Sequence, residues 1–149
     1  MRRLAKFWSL TRREKEFLCE ASILLSVSNI CVRAIAFRRI DRFLRDRWKD
    51  GIQRGTHCEQ EINLIRRSIS RAANVLPWKS LCLSRSIAAF IMLRRRGIPA
   101  TMNAGVRFSD NSSLEAHAWV DSDLDVKDNS AKNSDFVALI RIGSQAADQ

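Results

Sequence analysis

Cys82 and His117 are the two residues of this sequence whose types and settings could do covalent chemistry together. Cys82 opens the segment C-L-S-R-S-I-A-A-F-I-M-L-R-R-R-G, which predicts a helix from Cys82 to Arg96 with Gly97 as its C-cap and Pro99 behind it. A thiol in the first turn of a helix meets unsatisfied backbone N–H groups and the positive end of the macrodipole, which favour thiolate over thiol. The same N–H groups can receive the oxyanion of an acyl transfer. His117 stands in E-A-H-A-W-V-D, whose alternation predicts a strand. Asp121, Asp123, Asp125 and Asp128 follow it. Thiol, imidazole and carboxylate are the parts of a cysteine nucleophile with its base and its orienter.

The bland readings are weighed beside this one. A free cysteine is more often a small buried hydrophobe, and Cys19 and Cys31, in largely apolar helical segments, take that reading. His57 and Cys58 are adjacent, which rarely makes a working dyad, and the cysteines lack zinc spacing, so no metal site is read. There is no P-loop and no other cofactor motif. On the His117 strand, Glu115, His117, Trp119 and Asp121 share one face, while Ala116, Ala118 and Val120 share the other. The small and aliphatic set suits the core helix, and the edge of the strand can offer His117 to the thiol at that helix's end. For the third group, a tight turn at Ser122-Asp123 would return the next strand beside His117. That places Asp128 first, Asp125 second and Asp123 in the turn, with Asp121 still open.

The elements that must position these groups are legible around them. Thr11-Arg12-Arg13-Glu14 has the form of a capping box, and the apolar spacing from Phe17 to Ile35 predicts a helix to about Ala36. A second helix runs from Arg38 to about Lys49 with Ile40, Phe43, Leu44 and Trp48 on one side. A third runs from Glu59 to about Asn74 with Ile62, Ile65, Ile69 and Ala73 inward. After Pro99 the period changes to two. Strands are predicted at Ala100–Phe108, Glu115–Asp121, Asp125–Lys127 and Phe136–Ile142, antiparallel because the connections are too short for crossovers. The fold class is α+β: a helical N-terminal half, then a small sheet packed on the Cys82 helix, with 144–149 as a frayed tail. All 149 residues form one domain by length.

Composition narrows the classes further. Apolar residues make up 46% and charged residues 28%, which excludes general disorder. The net charge of +10 favours acidic partners, but the arginines are dispersed without the aromatic platforms of a single-strand binder. No apolar signal run follows the N-terminus, and the longest charge-free stretch, Ala21 to Val32, is too short to cross a bilayer. Free thiols then imply a reducing cytoplasm.

L-C-L-S-R-S-I-A, L-R-R-R-G-I-P-A and A-H-A-W-V-D together resemble the lasso-peptide biosynthesis B2 proteins, the C-terminal domain of the microcin J25 maturation protease, of transglutaminase-like, papain-type fold. The resemblance is closest from about Leu76 to Asp128. It implies a cysteine peptidase that removes the leader from a ribosomal precursor peptide, with Cys82 as nucleophile, His117 as base and Asp128 as the aspartate. Asp121 stands where the family has Glu, and the segment to Asp128 is about one residue short. The resemblance also implies a separate leader-recognition protein of B1 type, because the chain has no room for that domain, and an asparagine-synthetase-like cyclase downstream. Transglutaminases and arylamine acetyltransferases use the same triad and stand second. A basic binding protein with structural Cys82 and His117 stands third. For the second oxyanion donor, Trp78, Lys79 and Gln60 are the candidates.

Overall fold

Thr11 opens the first element, α1 (Arg12–Ala34), in a computed structural model that describes residues 10–48, 59–78, 81–108, 113–122 and 135–143. The capping box is closed in both directions. The Glu14 backbone N–H donates to Thr11 Oγ1 at 3.3 Å, and the Thr11 backbone N–H donates to the Glu14 carboxylate at 2.9 Å. The bonds from Thr11 hold the Glu14 carboxyl below its ordinary value. Thr11→Ala leaves a first-turn N–H without its side-chain acceptor. It is expected to lower the thermal midpoint by about 2–4 °C in a circular-dichroism melt, and an unchanged midpoint would mean that the helix start contributes nothing.

Only one side of α1 enters the core, through Phe17, Ala21 and Leu25. Deeper along the same helix, buried Asn29 accepts a hydrogen bond from buried Ser84 of the Cys82 helix at 3.3 Å. The opposite side leaves Ile23, Val27 and Ile30 more than half exposed. At 23 residues, α1 is long and apolar enough, by length and composition alone, to cross a membrane, although the charge-free run within it is shorter. The core helix of a folded domain passes the same test.

α2 (Phe37–Arg47) rests against α1 and β3. Ile40 and Leu44 are buried, and Trp48 meets Phe90 edge-on at 5.7 Å. Phe43, expected inward with them, is 62% exposed. The seam follows the i, i+4 row from Ile40 through Leu44 to Trp48, and so shallow a contact buries a face one residue wide. α3 (Glu59–Val75) turns Ile62, Ile65, Ile69 and Ala73 inward as predicted.

α4 (Cys82–Arg95) is the centre of the molecule and packs against α1, α3, β1 and β2. Phe90 and Met92 are fully buried along it. Its end is a Schellman motif: the Ile98 N–H donates to the Leu93 carbonyl and the Gly97 N–H to the Arg94 carbonyl, with Gly97 at φ 72°. Arg96 then donates to Glu20 at 2.5 Å and lies over the Phe17 ring, fastening α4 to α1. Buried Arg94 reaches the other way, donating to the Gly143 carbonyl at 3.1 Å and covering Phe90.

The sheet has the order β2-β1-β3 and is antiparallel throughout. β1 (Ala100–Phe108) and β2 (Leu114–Ser122) pair from Ala100 opposite Ser122 to Phe108 opposite Leu114. β3 (Val137–Ile142) joins the other edge of β1 with an irregularity between Ala104 and Gly105. A Cβ on Gly105 would lie 2.5 Å from the Val137 carbonyl oxygen, so the backbones meet too closely there for any side chain. Gly105→Ala is expected to cost about 1–3 kcal/mol in a urea unfolding series, and no loss would show that β3 yields freely at this point. The strand predicted at Asp125–Lys127, the tail at 144–149 and the His57-Cys58 pair lie outside the described residues. Among the described residues the architecture is four helices and one three-stranded sheet, as the α+β reading expects.

Candidate active site

Cys82 is the first residue of α4 and is exposed. The residue before it, Leu81, is the N-cap and makes no side-chain capping bond. α1 and α4 therefore begin differently: one start is closed by a capping box, and the other, which carries the thiol, has no side-chain cap. From Cys82 a stripe continues along one face of α4 through Ser86, Ala89 and Leu93, at steps of four, three and four residues.

His117 lies on β2, opposite Gly105 of β1, and is half-buried. The turn at Gly97 joins α4 to β1, and the α4 residues nearest Cys82 that line a cleft with His117 are Arg85 and Ser86. The cleft has a volume of about 870 Å³. Ser86, Ala89 and Leu93 of the Cys82 stripe line it, as do Arg85, the apolar side of α3 and His117. Cys82 is one turn beyond Ser86 on that stripe, outside the ring of lining residues. Among the described residues Cys82 and His117 share no hydrogen bond.

The surroundings of His117 are aromatic and cationic. Its ring stacks on Trp119 with centroids 6.1 Å apart and 14° between planes, and meets Phe136 at 5.2 Å. Arg107 lies 4.7 Å over the Phe136 ring and pairs with Glu115 at 2.8 Å. Burial and, after it, the Arg107 charge push the His117 pKa below its ordinary 6.5, because both disfavour the imidazolium. A neutral imidazole at pH 7 is the form that can accept a proton.

The alternation read from the sequence holds on β2. Ala118 is buried and Val120 packs on the core, while His117, Trp119 and Asp121 share the other side. Asp121 is committed to different partners: its Oδ2 accepts from Asn103 Nδ2 at 2.6 Å and from Trp119 Nε1 at 3.2 Å. It thereby braces the indole that stacks on His117 instead of meeting the imidazole. Asp123, Asp125 and Asp128 lie outside the described residues, as does Lys79. Gln60 is exposed and lines a separate hollow with Arg13 and Arg67, away from the His117 cleft. Cys31 is half-buried, but Cys19, read as a buried hydrophobe, is exposed. Its place on the outer side of α1, in line with Ile23 and Ile30, accounts for the difference. No group of three or more His, Cys, Asp and Glu that could hold a metal is found among the described residues.

The family model described as the transglutaminase-like superfamily matches residues 18–141. The chain belongs to that superfamily. The match runs from α1 through β3, so the helical half and the sheet fall within one transglutaminase-like match. The superfamily includes cysteine peptidases and acyltransferases and is mostly made of cysteine-dependent enzymes. No curated protein and no solved structure matches the chain.

The alternation of β2 puts Trp119 on the His117 face, whereas nothing in the sequence brings Arg107 or Phe136 to it. The Arg107–Glu115 pair follows from the hairpin register once β1 and β2 are set opposite each other. Phe136 reaches His117 only because β3 lies on the far edge of β1, which no local pattern reveals.

Proposed function

We propose that this transglutaminase-like protein is a cysteine peptidase that removes the leader from a ribosomally made lasso precursor peptide. The observation that carries the reading is the alignment of Cys82, at the N-terminus of α4, with a stripe that forms one wall of the cleft holding His117. The Cys82 thiolate attacks the scissile carbonyl, and His117 takes the thiol proton and gives it to the leaving amine. Water activated by His117 then hydrolyses the acyl-enzyme thioester, releasing the leader's carboxylate and restoring the thiol. The first-turn N–H groups of α4 receive the oxyanion. Thiol and imidazole come within hydrogen-bond reach when the peptide is bound, since such contacts often tighten only in the substrate complex. Asp128 orients the imidazole, with Asp125 the second choice.

On this reading residues 1–149 form one catalytic domain that works in the cytoplasm. A discrete leader-recognition protein delivers the precursor, and an asparagine-synthetase-like cyclase consumes the freed core. Mass spectrometry of a precursor incubated with this protein and the recognition partner tests it. A single cut between leader and core supports the peptidase. No product with a verified partner present removes the reading. An acylated amine in place of a free acid assigns acyl transfer, the other chemistry of the superfamily.

A further inference from the structure

We infer that Asn103, Asp121 and Trp119 are positioning residues for His117: a chain of hydrogen bonds fixes the indole, and the indole fixes the plane in which the imidazole takes and gives its proton. The inference rests on the peptidase reading for the reaction and adds what holds its base in place. The chain crosses two strands. Asn103 of β1 stands opposite Trp119 of β2, and Asp121 is the next residue of β2 on the Trp119 side. Asn103 is buried and Asp121 exposed, so the bond between them ties a surface carboxylate to the inside of the sheet. Trp119 then faces His117 with its ring only 14° from parallel. The 6.1 Å between centroids lies inside the range of about 4.5–7 Å over which aromatic rings interact. Phe136 meets the same imidazole from beyond β1, where Gly105, opposite His117, has no side chain to intervene.

An imidazole that moves a proton needs two restraints. A hydrogen bond to one nitrogen sets where that nitrogen points. The outer torsion of histidine is broad, however, so the plane of the ring is set by what lies against it. Among the described residues the ring contacts of His117 are with Trp119 and Phe136, and no carboxylate is bonded to it. Trp119 can serve as a fixed wall only if the indole is itself held, and its Nε1 bond to Asp121 at 3.2 Å does that. The bond from Asn103 at 2.6 Å converges on the same oxygen, Oδ2. This convergence separates a brace from a charge. A carboxylate that acted through its charge would be disabled as an amide. One that accepts two N–H groups through one oxygen can be replaced by the carbonyl of asparagine, which has two lone pairs of its own.

The test combines kinetics on the precursor, with the recognition partner present, and proton NMR of the protein alone. Asp121→Ala and Trp119→Phe are each expected to lower kcat by about tenfold with KM within about twofold, the mark of a displaced base and not of lost binding. Their double variant should lose no more than either single one, because both cut the same chain. Asp121→Asn is expected to recover kcat to within about threefold of the wild type. The Cε1–H resonance of His117, one of two histidines and assigned by its loss in His117→Gln, reports the stacking on Trp119 directly. At alkaline pH it should move toward the position of an unstacked histidine in Asp121→Ala and keep its place in Asp121→Asn, with the thermal midpoint unchanged in both. An Asp121→Asn protein as slow as Asp121→Ala would overturn the inference and make Asp121 a charge that acts on the site. Additive losses in the double variant, or a His117 resonance unmoved in Asp121→Ala, would overturn it as well. The resonance is read without substrate, so the two readings fail separately. Cleavage with an unmoved resonance removes the present inference alone, and the expected resonance pattern without any cleavage removes the peptidase.

Discussion

Cys82→Ala is expected to lower precursor cleavage by about 10⁴-fold or more while leaving the thermal midpoint within about 1 °C of the wild type. The two halves of that expectation come from different facts. Activity collapses because, in the proposed mechanism, no other group can form the thioester. Stability holds because Cys82 is exposed at the start of α4 and takes no part in the core. A cysteine that served packing would show the opposite pattern, with a lowered midpoint and partial activity. Cys19→Ala is the control: Cys19 is also exposed, but it lies inside α1, where the backbone N–H groups are already bonded within the helix. It offers a thiol with no oxyanion donors beside it, and its loss should leave cleavage unchanged. Equal cleavage by wild type and Cys82→Ala would show that Cys82 is not the nucleophile, whatever the fold of the variant.

Much of the scaffold was legible because its signals are local. Thr11 with Glu14 marks the start of α1, and Gly97 before Pro99 marks the end of α4. The change of period after Pro99 gives β1 at Ala100–Phe108, the residues the structure assigns to it. Each depends on residues within one turn or one strand. Phe43 and Cys19 escaped for one shared reason. Apolar character tells which residues would gain from burial, but how wide a face is covered depends on the neighbouring element, and α1 and α2 each bury a narrow one. The surroundings of His117 were less legible still. Two of its three neighbours, Arg107 and Phe136, come from other segments, and only the sheet order β2-β1-β3 brings them together. Asp121 shows the same limit in reverse. The sequence offers it as one of four aspartates that could orient the imidazole, and its bonds to Asn103 and Trp119 give it a bracing role.

The pH dependence of cleavage should report on His117 through Arg107. His117 must be neutral to take the thiol proton, so kcat/KM should fall on the acid side through the pKa of this group. Burial comes first and the Arg107 charge second, and both lower that pKa, so the acid limb is expected below the ordinary histidine value of 6.5. Replacing Arg107 by Gln removes the second cause and leaves the first. It also leaves Glu115, the carboxylate that Arg107 holds at 2.8 Å, without this partner on the same side of β2. Both changes favour the imidazolium, so the acid limb of Arg107→Gln should move upward. Stability carries the same sign. A histidine whose folded pKa is lowered contributes fully above its unfolded value, and that contribution is lost as pH falls toward the folded one, because the unfolded chain binds the proton more readily. Arg107→Gln should therefore flatten the fall in thermal midpoint between neutral and mildly acidic pH, independently of any assay of cleavage. His117→Gln should remove the part of that dependence that comes from this imidazole and lower cleavage by about 10³-fold, the scale of a lost general base. If the acid limb stays fixed in Arg107→Gln while the midpoint profile flattens, the titration that controls the rate belongs to a group other than His117, and the base must be sought elsewhere. If both move together, the imidazole that titrates in the fold is the one that takes the proton.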